Sequence, residues 1–164
     1  MKKNYSFEEI YRLYMNDLFY YMLSLTRQKE AAEDLVQESF YRALIHLDSY
    51  RGDEVRPWLF RIAYNAFIDW YRKEKRTVPQ DIQEWQLPAV KSTEQQFMAT
   101  NEIYEWKKDL TLLPVAIQNI LILRDFHGFS YQEIAEMTGY TLGKIKMDLF
   151  RGRIELKKAR EKLK

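Results

Sequence analysis

At 164 residues the chain is long enough for one ordinary domain or two small ones, and its 12 Tyr, 9 Phe and 4 Trp supply apolar bulk that a disordered chain lacks. The absence of cysteine excludes disulfides and thiolate zinc sites and fits a reducing compartment, the cytoplasm. A formal net charge of +2 is too small to argue for nucleic acid, so the placement of charge along the chain has to decide.

The first residues run into Tyr5-Ser6-Phe7-Glu8-Glu9 without an apolar signal core, and no stretch approaches the roughly 18 apolar residues of a membrane helix. A soluble protein is expected. With 5 Gly, 4 Pro and little β-branched alternation, helical periods should dominate and the fold class should be all-α.

Ser6, with Glu9 three residues on, reads as the N-cap of a first helix from about Phe7 to Thr26. Its inward stripe is Ile10, Leu13, Tyr14, Leu18, Tyr21, Met22 and Leu25. After a break at Arg27 to Lys29 a second stripe follows: Ala32, Leu35, Val36, Ser39, Ala43, Leu44 and Leu47. Beside it, Asp34, Gln37, Glu38 and Tyr41 share a mostly polar face. Asp48 to Glu54 reads as a loop around Gly52. Pro57 suits the first turn of a third helix, where its missing N–H costs nothing. Leu59, Ile62, Ala63, Ala66 and Trp70 form its buried side, and Asn65, Asp69, Arg72 and Arg76 lie on another face. Trp58 reads as core, whereas Tyr64, Phe67 and Tyr71 fit either a core or a stacking surface.

From Thr77 to Thr100 the pattern dissolves into linker chemistry with Pro79 and Pro88, although Trp85, Leu87 and Phe97 call for some packing. The organisation is therefore an N-terminal domain over 1–76, a linker over 77–100 and a C-terminal domain over 101–164. A helical pattern resumes from about Asn101 to Leu113, and Pro114 opens another helix through Ile117, Ile120, Leu121 and Leu123.

The strongest local signal is the run from Phe129 to Tyr140. Ser130 and Glu133 make a capping box, Ala135 is small where a second helix crosses, and Gly139 can turn with φ > 0. Thr141 then caps a second helix with Ile145 and Leu149 inward and Lys144, Lys146, Asp148 and Arg151 outside. A helical hairpin that only packs would satisfy this pattern too. The basic stretch from Lys144 through Arg151, Arg153, Lys157, Lys158 and Arg160 favours a helix-turn-helix with its recognition helix in a DNA major groove. A second basic cluster is Arg72-Lys73-Glu74-Lys75-Arg76.

A helix-turn-helix alone leaves open a repressor, an activator or a polymerase subunit. Ala32-Glu33-Asp34-Leu35-Val36-Gln37-Glu38-Ser39-Phe40, with Pro57-Trp58-Leu59-Phe60-Arg61-Ile62-Ala63-Tyr64-Asn65 and then Asp69 and Arg72, resembles the extracytoplasmic-function (ECF) sigma factors of the sigma-70 family. The likeness spans region 2 in the N-terminal half and region 4 from Leu113 onward.

That resemblance implies two small helical domains: a region 2 bundle and a region 4 helix-turn-helix. It implies docking of Asp34, Gln37, Glu38 and Tyr41 on the β′ clamp of core RNA polymerase, with the β flap as a further contact. It assigns capture and melting of the −10 element to Tyr50, Arg51, Asp53, Asn65, Asp69 and Arg72, and reading of the −35 duplex to Thr141, Lys144, Lys146, Arg151 and Arg153. An anti-sigma factor, often membrane-anchored, is the implied regulator. Two departures stand out: Met147-Asp148 where the family often has Ser-Arg, and Gly152 where Ala is common.

Two other classes compete. An enzyme would need a metal or nucleophile constellation, yet Glu-x-x-His pairs, phosphate-cradling glycine loops and nucleophile elbows are missing, and His46 and His127 lack ligand spacing. The expectation is therefore no enzyme, no metal, no cofactor and no small-molecule substrate. A helix-turn-helix regulator that acts as a dimer or binds a ligand, without docking on polymerase, is the other alternative.

Overall fold

A computed structural model of the chain describes residues 6–52, 54–77 and 109–162. Asp53, the side chain of Arg76, the linker residues Trp85, Leu87 and Phe97, and the helix expected from Asn101 through residue 108 lie outside them. The chain divides into two compact units, Met1–Ile82 and Gln83–Lys164.

In the first unit three helices pack on one another: α1 (Phe7–Thr26), α2 (Lys29–His46) and α3 (Val55–Thr77). The bounds of α1 follow from its ends. Ser6 accepts the Glu9 N–H at 3.2 Å, and Arg27 closes the helix in the left-handed region at φ 58°, its own N–H returning to the Leu23 carbonyl. Thr26 and Gln28 exchange short contacts across the break, so α2 restarts within two residues. A short 3-10 turn, Leu47–Ser49, ends α2. Pro57 falls in the first turn of α3, as its missing donor requires.

The core between these helices holds Ile10, Leu18, Tyr21 and Met22 of α1, Ala32, Phe40 and Ala43 of α2, and Leu59, Phe60, Ala63 and Phe67 of α3. Tyr21 and Phe60 stack with ring centres 4.9 Å apart. Buried Ser39 is satisfied by donating to the Leu35 carbonyl at 2.6 Å, so it costs the core little. Two expected core positions are not in it: Leu13 is 60% exposed and Leu44 51%. Both lie on the flank of their helix's apolar stripe, too far around the helix to reach a neighbour. Trp70 and Ile62 are only half-buried, while Tyr64 and Phe67 resolve to core.

In the second unit, α4 (Val115–Leu121) starts directly after Pro114 and continues as a π turn over Ile122–Phe126, with the His127 N–H reaching the Ile122 carbonyl at 3.0 Å. Then come α5 (Tyr131–Thr138) and α6 (Leu142–Lys162). The apolar floor is Leu110, Ile120, Leu121, Leu123, Phe129, Ile134, Ile145 and Leu149. Helix α6 packs on α4 so closely that a Cβ at Gly152 would lie 2.9 Å from both Ile117 Cγ2 and Leu121 Cδ1. The glycine accepts a helix-propensity cost of about 1 kcal/mol, and that close approach is its reason.

Candidate functional site

The helix-turn-helix is built by local chemistry. Ser130 Oγ accepts the Glu133 N–H at 3.0 Å while the Glu133 carboxylate accepts the Ser130 N–H at 2.8 Å, closing both ends of the capping box. Gly139 ends α5 at φ 78°, a conformation that costs other residues about 1 kcal/mol or more. Thr141 Oγ1 accepts the Lys144 N–H at 3.1 Å and starts α6.

On α6 the outer face carries Lys146 and Arg151, both exposed and without an ion pair among the described residues. Lys144 and Arg153 are exposed but engaged. Lys144 donates to Asp148 at 2.7 Å, and its ammonium sits 4.7 Å over the Tyr140 ring. The hydrogen bond to Asp148 outweighs desolvation and raises its pKa above the ordinary lysine value. Arg153 grips Asp125 with two donors at 2.5 and 3.3 Å, which raises its pKa in turn and ties α6 to the π turn.

Asp148 itself corrects the sequence reading. It was expected to face outward, but it is 6% exposed, turned toward the buried side of α6 and neutralised by Lys144 one turn earlier. Between the cations, Met147 and Phe150 are 48% and 63% exposed, an apolar centre to this face that the charge pattern had hidden.

The strip on α2 is as expected: Asp34, Gln37, Glu38 and Tyr41 are all exposed. Ile45, 57% exposed, continues it one turn beyond Tyr41. On α3, Asn65, Asp69 and Arg72 are exposed along one face, which Arg61 extends one turn toward the N-terminus. Tyr71 is half-buried, with burial raising its pKa and Lys75 Nζ 5.6 Å from its ring centre.

In the loop before α3, Tyr50 stacks on Trp58 at 4.4 Å, and its hydroxyl donates to the Glu54 carbonyl. Arg51 donates to the Asp48 carbonyl at 2.7 Å. Tyr50 is thus held by Trp58 at the start of α3 and by the loop backbone, and Arg51 by the loop backbone. Reasoning from sequence missed Arg42. This α2 residue donates to Glu38 at 2.9 Å and to Asp69 on α3 at 3.0 Å, joining the two strips of the first unit.

Comparison with known proteins agrees with this architecture. Residues 10–77 match the family model of Sigma-70 region 2, and residues 110–156 that of Sigma-70, region 4. The chain is 36% identical to RNA polymerase sigma factor YlaC of Bacillus subtilis over 96% of this chain and 94% of that protein. It is 38% identical to the ECF RNA polymerase sigma factor SigM of the same species over 92% of each chain. Among solved structures, the sigma factor RpoE of Bartonella quintana, determined in complex with the anti-sigma factor NepR, superposes with a TM-score of 0.80 at 30% identity, covering 94% of this chain and 96% of that one. CnrH, determined with the cytosolic domain of CnrY, shares the fold with a TM-score of 0.71 at 21% identity over 94% of this chain and 87% of its own. With both regions matched in chain order and full-length relatives above one-third identity, the chain belongs to the ECF RNA polymerase sigma factors of the sigma-70 family, a family of transcription initiation factors.

Proposed function

We propose that the chain docks on the β′ clamp of core RNA polymerase through Asp34, Gln37, Glu38 and Tyr41, with the second unit meeting the β flap. Charge-assisted pairing with arginines of a partner helix suits the acceptors of this strip, and Tyr41 with Ile45 supplies the apolar contact at its end. The second unit reads the −35 duplex, with Thr141, Lys144, Lys146, Arg151 and Arg153 on or beside the recognition helix. Lys146 and Arg151 carry the direct contacts, because Lys144 and Arg153 are committed to Asp148 and Asp125.

At −10, Asn65 and Arg72 on α3 face the unpaired strand, and Tyr50, Arg51, Asp53 and Asp69 frame the site. An amide that can pair with a base edge beside cations for phosphate is what such a site requires. Tyr50 is already stacked on Trp58, which fixes the orientation of its ring at the edge of this site. The observation that carries the reading is a recognition helix whose Lys146 and Arg151 are exposed without an ion pair among the described residues in one unit, together with an exposed carboxylate strip in the other.

No helix among the described residues is long and apolar enough to cross a membrane, and the function places the protein in the cytoplasm with the polymerase. Catalysis belongs to the polymerase. The relative solved with its anti-sigma factor supports a protein regulator of the same kind, often membrane-anchored in this family, that covers the DNA-facing or docking surface.

A photo-crosslinking amino acid at Tyr41, Asn65 or Met147 in reconstituted initiation complexes tests the assignment. Crosslinks to β′, to the non-template −10 strand and to −35 DNA respectively are expected. Crosslinks of the Tyr41 probe to DNA, or of the Met147 probe to β′, would overturn it.

A further inference from the structure

Arg42 stands where the two strips of the first unit meet. The Nε and adjacent Nη2 of a guanidinium form its side-on edge, the donor pair that closes two parallel bonds on a single carboxylate. Here the pair is divided. Nε donates to Glu38 Oε1 at 2.9 Å, within α2, whereas Nη2 donates to Asp69 Oδ2 at 3.0 Å, across to α3. Asp69 therefore occupies the arm that would otherwise complete a two-bond pair with Glu38. Among the described residues, Oε2 of Glu38 is left with no bonded partner, and the Glu38 side chain is 48% exposed.

Desolvation alone would depress the Arg42 guanidinium, but the bonds and charges of Glu38 and Asp69 outweigh it and raise its pKa. The cation is thus permanent, and only its sharing between the two acids can change.

We propose that Arg42 is a positioning residue shared by both surfaces: Asp69 draws it half off Glu38 and so keeps the Glu38 carboxylate open to a basic group of the docking partner. The inference rests on the reading of Glu38 as a polymerase-docking residue. It runs in both directions, because linkage is reciprocal. A partner cation that takes Glu38 leaves Arg42 to Asp69, and an acid on the face that carries Asn65 and Arg72 is then more fully neutralised. Docking on α2 thereby lowers the repulsion that DNA phosphate meets on α3.

The test measures core-polymerase affinity by titration of the full-length chain at low salt, in Glu38→Gln, Asp69→Asn, Asp69→Glu, Arg42→Met and the Asp69→Asn/Arg42→Met double variant. Asp69→Asn removes no docking residue, yet it should weaken core binding about two- to fivefold, the range of an exposed ion pair. Asp69→Glu should restore the affinity, and Asp69→Asn should have no effect once Arg42 is Met. If Glu38→Gln weakens binding while Asp69→Asn does not, or if Asp69→Asn costs the same with and without Arg42, this inference is overturned and the docking reading stands. No loss in Glu38→Gln overturns the docking reading and this inference together.

Discussion

Lys144 and Asp148 meet at 2.7 Å across one turn of the recognition helix, the ammonium in solvent and the carboxylate 6% exposed. A buried carboxylate without its cation carries an uncompensated desolvation cost. Lys144→Met should therefore destabilise the second unit by about 1 kcal/mol, near the lower end for an unsatisfied buried group because solvent reaches the Lys144 side. The folded-state pKa of Lys144 lies above its ordinary 10.5, so the pair's contribution is fully present below that value and is lost as pH rises through the raised one. Urea unfolding of wild type and Lys144→Met should differ by a constant amount from neutral pH to about pH 10 and converge above it. A difference that grows with alkalinity would contradict the pairing.

The same helix separates DNA-reading cations from structural ones. Lys146→Ala and Arg151→Ala should leave the melting temperature unchanged while each lost base contact costs about 1–3 kcal/mol of −35 affinity. Arg153→Ala should instead lower stability by up to about 1 kcal/mol through the partly exposed Asp125 pair. Binding to specific and scrambled duplexes, measured beside thermal melts, distinguishes them. An equal loss on both duplexes reassigns the residue to phosphate contact alone.

Asn65 is exposed on α3, outside the four residues of the docking strip on α2, and its amide is suited to a base edge. Asn65→Ala should leave holoenzyme assembly intact and reduce open-complex formation by about tenfold, the scale of one lost base contact. Permanganate reactivity of −10 thymines is the readout, and unchanged reactivity would remove Asn65 from the site.

The helix-turn-helix depends on its two local devices. Ser130→Ala should cost about 1 kcal/mol as a lost cap, and Gly139→Ala about 1–2 kcal/mol because it forces a Cβ into the left-handed region. Both should lower the melting temperature of the second unit. Unaltered melting in both would mean that tertiary packing, and not the caps, sets this geometry.

How much of this was legible in the sequence depends on the range of the interaction. The bounds of α1 and the whole capped turn from Ser130 to Thr141 were readable, because the partners lie within four residues and their chemistry allows few alternatives. Asp148 was misread because a charge pattern assigns acids to solvent, while a lysine one turn earlier can carry one inward. Arg42 was invisible, since its second partner, Asp69, is 27 residues away and reaches it only after α2 and α3 pack. Leu13 and Leu44 fit a broad apolar stripe by period, yet no neighbour covers its flank. The π turn after α4 carries no composition signal, and the close approach at Gly152 became visible only once α4 lay against α6.

The central claim, that two units joined in one chain direct polymerase to promoters, is tested most directly by transcription with sigma-free core polymerase and fragmented genomic DNA of the source organism. The purified chain should co-elute with core and yield discrete run-off transcripts that start at shared upstream elements and disappear with Glu38→Arg or Lys146→Ala/Arg151→Ala. A chain that binds DNA but neither co-elutes with core nor yields any transcript would contradict the account and return it to a helix-turn-helix regulator acting without polymerase docking.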